Sequence, residues 1–188
     1  MRKELIIGLF AGLIVLQIVL PVSMIAKRES TLKNGEVFRF KTVPVDPYDA
    51  FRGRYVAIRA EINKVSKPEG VDLKYGQKVY AQLFVDENGF AQVSQIAMRR
   101  PKDSAYLIAS VTYPAGRGND VGLNLPIDRY YMEEKAAPRA EQVYREHSRR
   151  GDKQDAYVIV RIKDGFAVIE GLYVGDQRIE DILKVNIK

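Results

Sequence analysis

Cysteine and tryptophan are missing from this sequence, and histidine occurs once, as His147. Without cysteine there is no disulfide framework, no thiolate zinc site and no cysteine nucleophile. A single histidine leaves a His-rich metal centre or a Ser-His-Asp triad short of its parts. The carboxylates are dispersed, with no metal-loop spacing, so the residues call for no cofactor. Charge of one sign is limited too. Thirty Lys and Arg against 24 Asp and Glu leave +6, which suits anionic surfaces without naming one. Charged residues at 29% and hydrophobic residues at 46% exclude a wholly disordered chain. No internal repeat of roughly 20–50 residues is visible.

What is present begins with a long apolar run. Leu5 to Leu20 reads LIIGLFAGLIVLQIVL, with Gln17 as its polar exception. With Pro21 and Val22 the run would extend about 27 Å as a helix, close to a ~30 Å hydrocarbon core. A buried soluble helix would carry a polar stripe, and there is none. A cleaved signal peptide would have a shorter apolar part and a small-x-small site, which Pro21 to Ala26 does not supply. Residues 1–26 are therefore read as an uncleaved anchor, and 27–188 as one folded domain. Arg2 and Lys3 precede the run and Lys27, Arg28 and Lys33 follow it, so the positive-inside count is nearly balanced. The short amino tail and long carboxyl part favour a domain outside the cytoplasm.

Strand signals dominate that domain. Phe38 and Phe40 alternate with charged residues, Val56, Ile58, Ala60 and Ile62 share one face, and Val79 to Val85 repeats the period of two. Asp86-Glu87-Asn88-Gly89 separates that run from Phe90 to Met98, and Lys163-Asp164-Gly165 separates Ala156–Ile162 from Phe166–Val174. Both read as hairpins. Ala105 to Tyr113 and Val121 to Leu125 are further strands, joined by the loop 114–120. Ala140, Val143, Tyr144 and His147 fall at i, i+3, i+4 and i+7, after Pro138 and before Gly151, which predicts one helix. The fold class is mainly β (α+β): a transmembrane helix, then an antiparallel β-rich domain with one packed helix.

The least ordinary stretch runs from Pro44 to Tyr55. Asp46 can cap backbone amides while Pro47 fixes φ. Arg52 can clamp Asp46 or Asp49 with two hydrogen bonds, and Gly53 permits a positive φ before the next strand. One reading is an ion-paired corner. The other is a recognition loop that presents Tyr48, Phe51 and Arg54. Arg129-Tyr130-Tyr131, followed by Glu133-Glu134, is either a contact patch or a set of aromatics packed under the helix with hydroxyls outward.

Asp-Pro-x-Asp-x-x-Arg-Gly-x-Tyr before a strand resembles the GDYXXLXY family of bacterial membrane-anchored proteins. Its eight-residue signature falls on Gly53 to Ala60, with Gly53 and Tyr55 matching. Arg54 stands where the family has Asp, Ile58 where it has Leu, and Ala60 where it has Tyr. Pro126 to Glu134 resembles the downstream Arg-Tyr-aromatic-x-x-Glu element, and the closing hairpin resembles the family's carboxyl end. The resemblance carries no established activity. It implies an accessory protein of the inner (cytoplasmic) membrane whose partner is a multi-spanning membrane protein.

A rival reading rests on Pro21-Val22-Ser23-Met24, which resembles the Ser-Met element of membrane-bound signal peptidases. A Ser/Lys hydrolase needs a neutral lysine within reach of the serine. Lys64 and Lys78 are the candidates, without a peptidase-like Lys-Arg strand motif. Basic clusters at Arg99, Arg100 and Lys102, and at Arg145, Arg149, Arg150 and Lys153, fit anionic lipid headgroups or a solvated face. Aromatic-basic patterns for nucleic acid do not occur. If the anchor is uncleaved, amino-terminal sequencing of the membrane fraction should return the segment ahead of Leu5. A chain beginning near Lys27 would refute it.

Overall fold

The computed structural model describes residues 2–44, 55–62, 65–113, 120–133, 136–148 and 154–185. Helix α1 (Arg2–Asn34) carries the apolar run and continues past residue 26 for two more turns. Its large apolar side chains from Leu5 to Ile25 are exposed, uncovered by the rest of the chain. Among the described residues it is the one helix long and apolar enough to cross a membrane. Pro21 lies inside it, where the ring removes one backbone donor.

Six strands form the first sheet: β1 (Glu36–Pro44), β2 (Tyr55–Ala60), β8 (Arg129–Tyr131), β9 (Ala156–Lys163), β10 (Phe166–Val174) and β11 (Gln177–Arg178). Their order is β11-β10-β9-β1-β2-β8, with every pair antiparallel. The second sheet holds β3 (Val65–Ser66), β7 (Asp120–Asn124), β6 (Tyr106–Tyr113), β4 (Lys78–Val85) and β5 (Ala91–Ala97), in that order. Both sheets curl. In the first, β8 at one edge comes into contact with β10 near the other, and in the second, β3 meets β5.

The period of two explains the core. On β9, Ala156, Val158, Val160 and Ile162 point inward, and Phe38, Phe40 and Thr42 of β1 and Val56 and Ile58 of β2 do the same. Val79, Ala81, Leu83, Val93, Leu107, Ala109 and Val111 fill the second sheet's interior. Asp164 and Gly165 both have positive φ, 52° and 75°, so the expected two-residue turn forms as read from Asp-Gly. Gly165 is also required by space, because a Cβ there would sit 2.5 Å from the Tyr106 ring.

The expected helix is α2 (Ala137–Ser148). Its buried stripe is Ala137, Ala140, Tyr144 and Ser148, whereas Val143 and His147, expected on that stripe, are half-buried. Tyr144 sets the rotation, since its hydroxyl donates to the Val43 carbonyl at 2.9 Å. A further helix, α3 (Ile179–Val185), was not expected and buries Ile179 and Leu183. Two strands of two residues, β3 and β11, and the three-residue β8 were likewise absent from the sequence reading.

The joint between α1 and the first sheet is tight. Thr31 is buried and α1 packs on β9 and β10. Val168, on the outer face opposite Arg161, is nevertheless buried, as α1's cover requires. At the corner, a Cβ on Gly35 would lie 2.5 Å from the Thr31 carbonyl and 3.1 Å from the Ile162 amide and carbonyl. Backbone on both sides cannot yield as a side chain can. Gly35→Ala should therefore cost ~1–3 kcal/mol, read as a lower urea midpoint of the detergent-solubilised protein. Gly12→Ala, which meets nothing within 4 Å, should stay within ~0.5 kcal/mol.

Candidate functional site

On the outer face of the first sheet, β2 and β8 set Tyr55 opposite Tyr131 and Ala57 opposite Arg129. The two tyrosine rings lie 6.0 Å apart, tilted by 55°. Arg129 reaches diagonally over the Tyr55 ring, 5.5 Å from its centroid. Asp128 stands 3.5 Å from the Arg129 guanidinium. The Tyr131 hydroxyl and the Asp128 charge both hold that guanidinium protonated, with its pKa raised. Tyr131 is 62% exposed. Alternation makes this inevitable: with Val56 and Ile58 inward, their neighbours must face out.

Tyr130 takes the opposite direction. It pairs with Val56, enters the interior and is buried. Its hydroxyl donates to the Glu180 carboxylate at the start of α3 and receives a hydrogen bond from Arg178 at 3.3 Å. Arg178 also donates to Glu180 at 3.0 Å and to the Glu170 carbonyl at 3.1 Å. These contacts join the two edges of the six-stranded sheet through side chains, where no backbone ladder runs. Tyr130 is thus a core side chain whose hydroxyl turns into the seam instead of outward, while Arg129 and Tyr131 are exposed.

Beside the exposed cluster lies a cleft of about 690 Å³ between β2 and the β6–β7 end of the second sheet. Ala57, Arg59, Ile62, Tyr113, Asn124 and Asp128 are among the residues that line it. Tyr113, at 66% exposure, was read from the sequence as a strand end and nothing more. Alternation alone would place it inward with Leu107, Ala109 and Val111; the register shift between Val111 and Tyr113 turns it out, which the sequence does not signal.

Asp46, Pro47, Tyr48, Asp49, Arg52, Gly53 and Arg54 lie outside the described residues, as do Lys64, Arg149, Arg150 and Lys153. The clamp at Arg52 is therefore an expectation, while the strand it leads into begins at Tyr55. Ser23 sits within α1 and donates its hydroxyl to the Leu20 carbonyl at 2.7 Å; Lys78 is on β4. Arg145 pairs with Glu141 along α2, and His147 with Asp155 at 2.8 Å. Among the described residues, no three of His, Cys, Asp or Glu gather as a metal-binding group.

Residues 17–172 match the family model of the GDYXXLXY protein, and the chain belongs to that family. No curated protein and no solved structure matches. Of the signature stretch, Tyr55 to Ala60 form β2, with Ile58 at the inward Leu position and Tyr55 outward.

Burial holds the Tyr130 phenol above its ordinary pKa of 10.0, and burial does the same for Tyr144. A raised folded-state pKa means stability is fully present below about pH 10 and is lost as pH climbs through the raised value. Tyr130→Phe should cost ~1–2 kcal/mol at pH 8 by removing the seam hydroxyl. It should also flatten the alkaline fall in urea midpoint. An unchanged midpoint and slope would remove Tyr130 from the seam.

Proposed function

We propose that this chain is a membrane-anchored interaction module of the bacterial cell envelope, with no chemistry of its own. Its domain lies on the extracytoplasmic side of the inner membrane, and it works with a multi-spanning membrane protein. The observation that supports this is the exposed Tyr55–Arg129–Tyr131 cluster beside a large cleft. Arg and Tyr offer wide contact area and directional hydrogen bonds at modest entropy cost. The cluster is held by two paired strands, so little of it must be ordered on binding. The proposal includes Asp46 to Arg54, which precede Tyr55 in sequence.

Position narrows what can reach it. β1 leaves the end of α1 and runs nine residues, up to ~26 Å from first to last Cα. Tyr55 begins the returning strand β2, beyond the Pro44↔Ile58 pair. The cluster belongs to the domain and not to α1, so a partner would meet it with a part of itself outside the bilayer. The long apolar α1 supports the anchor, while the side of the membrane rests on the short amino tail and on family likeness.

Arg129→Ala and Tyr131→Ala should abolish photocrosslinking to the partner from a probe at Tyr113. Folding stability should stay within ~1 kcal/mol, as for other surface changes. Full crosslinking yield in both variants would discard the face. Protease added to spheroplasts should degrade the domain, and protection until lysis would reverse the topology.

A further inference from the structure

We propose that the base of the domain seats the phosphate-bearing headgroup of an anionic membrane lipid. The site is the hollow between the end of α1, the segment after β5 and the β9–β10 turn. This rests on the reading of α1 as an uncleaved membrane anchor.

Height carries the argument. Beyond the apolar run α1 stays uncharged through Ala26, and Lys27 is the first charge after it. The Lys27 ammonium lies over the Phe166 ring, 4.5 Å from its centroid. One turn further on, Ser30 accepts a hydrogen bond from Lys163 at 2.9 Å. The turn between Lys163 and Phe166 is thus level with residues 27–30 of the helix. That is within about 6 Å of Ala26, the last residue of the uncharged stretch. The headgroup zone on each side of the hydrocarbon is ~5–8 Å deep. The turn stands in it.

A second segment is drawn to the same level. Arg100 pairs with Asp164 of the turn at 2.5 Å and lies over the Tyr106 ring. The Ile108 amide bonds the Gly165 carbonyl at 3.2 Å. Between these parts is a hollow of about 470 Å³, lined among others by Asn34, Arg100, Lys102, Ser104 and Lys163. Glu36, Asp103 and Asp164 also line it, and Arg100 already offsets Asp164. The lining thus balances three cations against three carboxylates. With Glu29 of α1 paired to Lys33, Lys27, Arg28 and Arg99 of the flanking helix and loop leave cations in excess at this level. Basic groups beside a bilayer favour anionic lipid and weaken with salt. A phosphate there also meets the Ser104 hydroxyl and the Asn34 amide as neutral donors.

The natural absence of cysteine makes the test direct. The full chain is placed in lipid nanodiscs with one cysteine, either Asp103→Cys at the base or Glu87→Cys at the β4–β5 turn. The latter turn is at the opposite end of the domain, where Phe90 packs on Tyr157 at the start of β9. Each is labelled with a fluorophore, and the quencher is a headgroup nitroxide on phosphatidylglycerol or on phosphatidylcholine. We expect position 103 to be quenched at least threefold more than position 87. We expect phosphatidylglycerol to quench it at least twice as strongly as phosphatidylcholine. Both 0.5 M salt and a Arg99→Gln/Lys102→Gln variant should erase that twofold preference. Equal quenching at 103 and 87, or by the two lipids, overturns the proposal while the anchor stands. Elution of the chain apart from the discs overturns the anchor and the headgroup site together.

Discussion

Everything in the domain is placed by one long-range pairing, β1 with β9. Glu36 to Lys41 lie opposite Ile162 to Tyr157 in unbroken antiparallel register. The buried Thr42 hydroxyl adds a bond to the Ala156 carbonyl at 3.0 Å. More than a hundred residues separate the partners in sequence. Between them the chain makes the entire second sheet, so that sheet is in effect an insertion held between the halves of the first. Closing so long a loop costs entropy before any contact repays it, although the cost grows only logarithmically with length. The return is the apolar surface of the alternating inward residues on both strands. Such non-local topology also predisposes to slow folding.

The same pairing links the domain to α1. Gly35 connects Asn34 directly to β1, and Ile162 of β9 backs the corner. The helix therefore passes into the sheet without a linker. Arg161 reinforces the corner by donating to the Gly35 carbonyl and to Glu170. Glu170 is the extra residue where the β9–β10 register shifts between Ile169 and Gly171. A bulge inserts a residue and re-aims the side chains that follow it. Here it restores the inward phase, so that Leu172 and Val174 are buried after Val168 was turned toward α1.

Local signals were legible in the sequence and remote ones were not. The apolar run, the major alternating strands and the Asp-Gly turn each rest on residues a few positions apart, and each appears as read. The α2 stripe was right in position and off in rotation. Its facing is decided by Tyr144 bonding Val43, a hundred residues away. Strand β8 was illegible because three residues cannot display a period. Arg129-Tyr130-Tyr131 looks like one patch in sequence, yet a strand sends neighbours to opposite faces. Tyr130 thus became a structural seam while Arg129 and Tyr131 became surface. The cleft could not be read at all, since its walls come from separate sheets.

That division of one tripeptide explains how the surface cluster is held still. Tyr130, clamped by Glu180 and Arg178, fixes β8 against the far edge of its own sheet. Pairing with β2 then leaves Arg129 and Tyr131 little freedom except in their side chains. The ring of Tyr55 limits that freedom further by lying beneath Arg129 and against Tyr131. A preorganised cluster of this kind loses less entropy on binding than a loop of the same composition. The seam and the surface are consequently one device, with the buried phenol setting the strand and the strand presenting its neighbours. Substituting the exposed residues changes what the surface offers, whereas substituting Tyr130 loosens the strand that presents it.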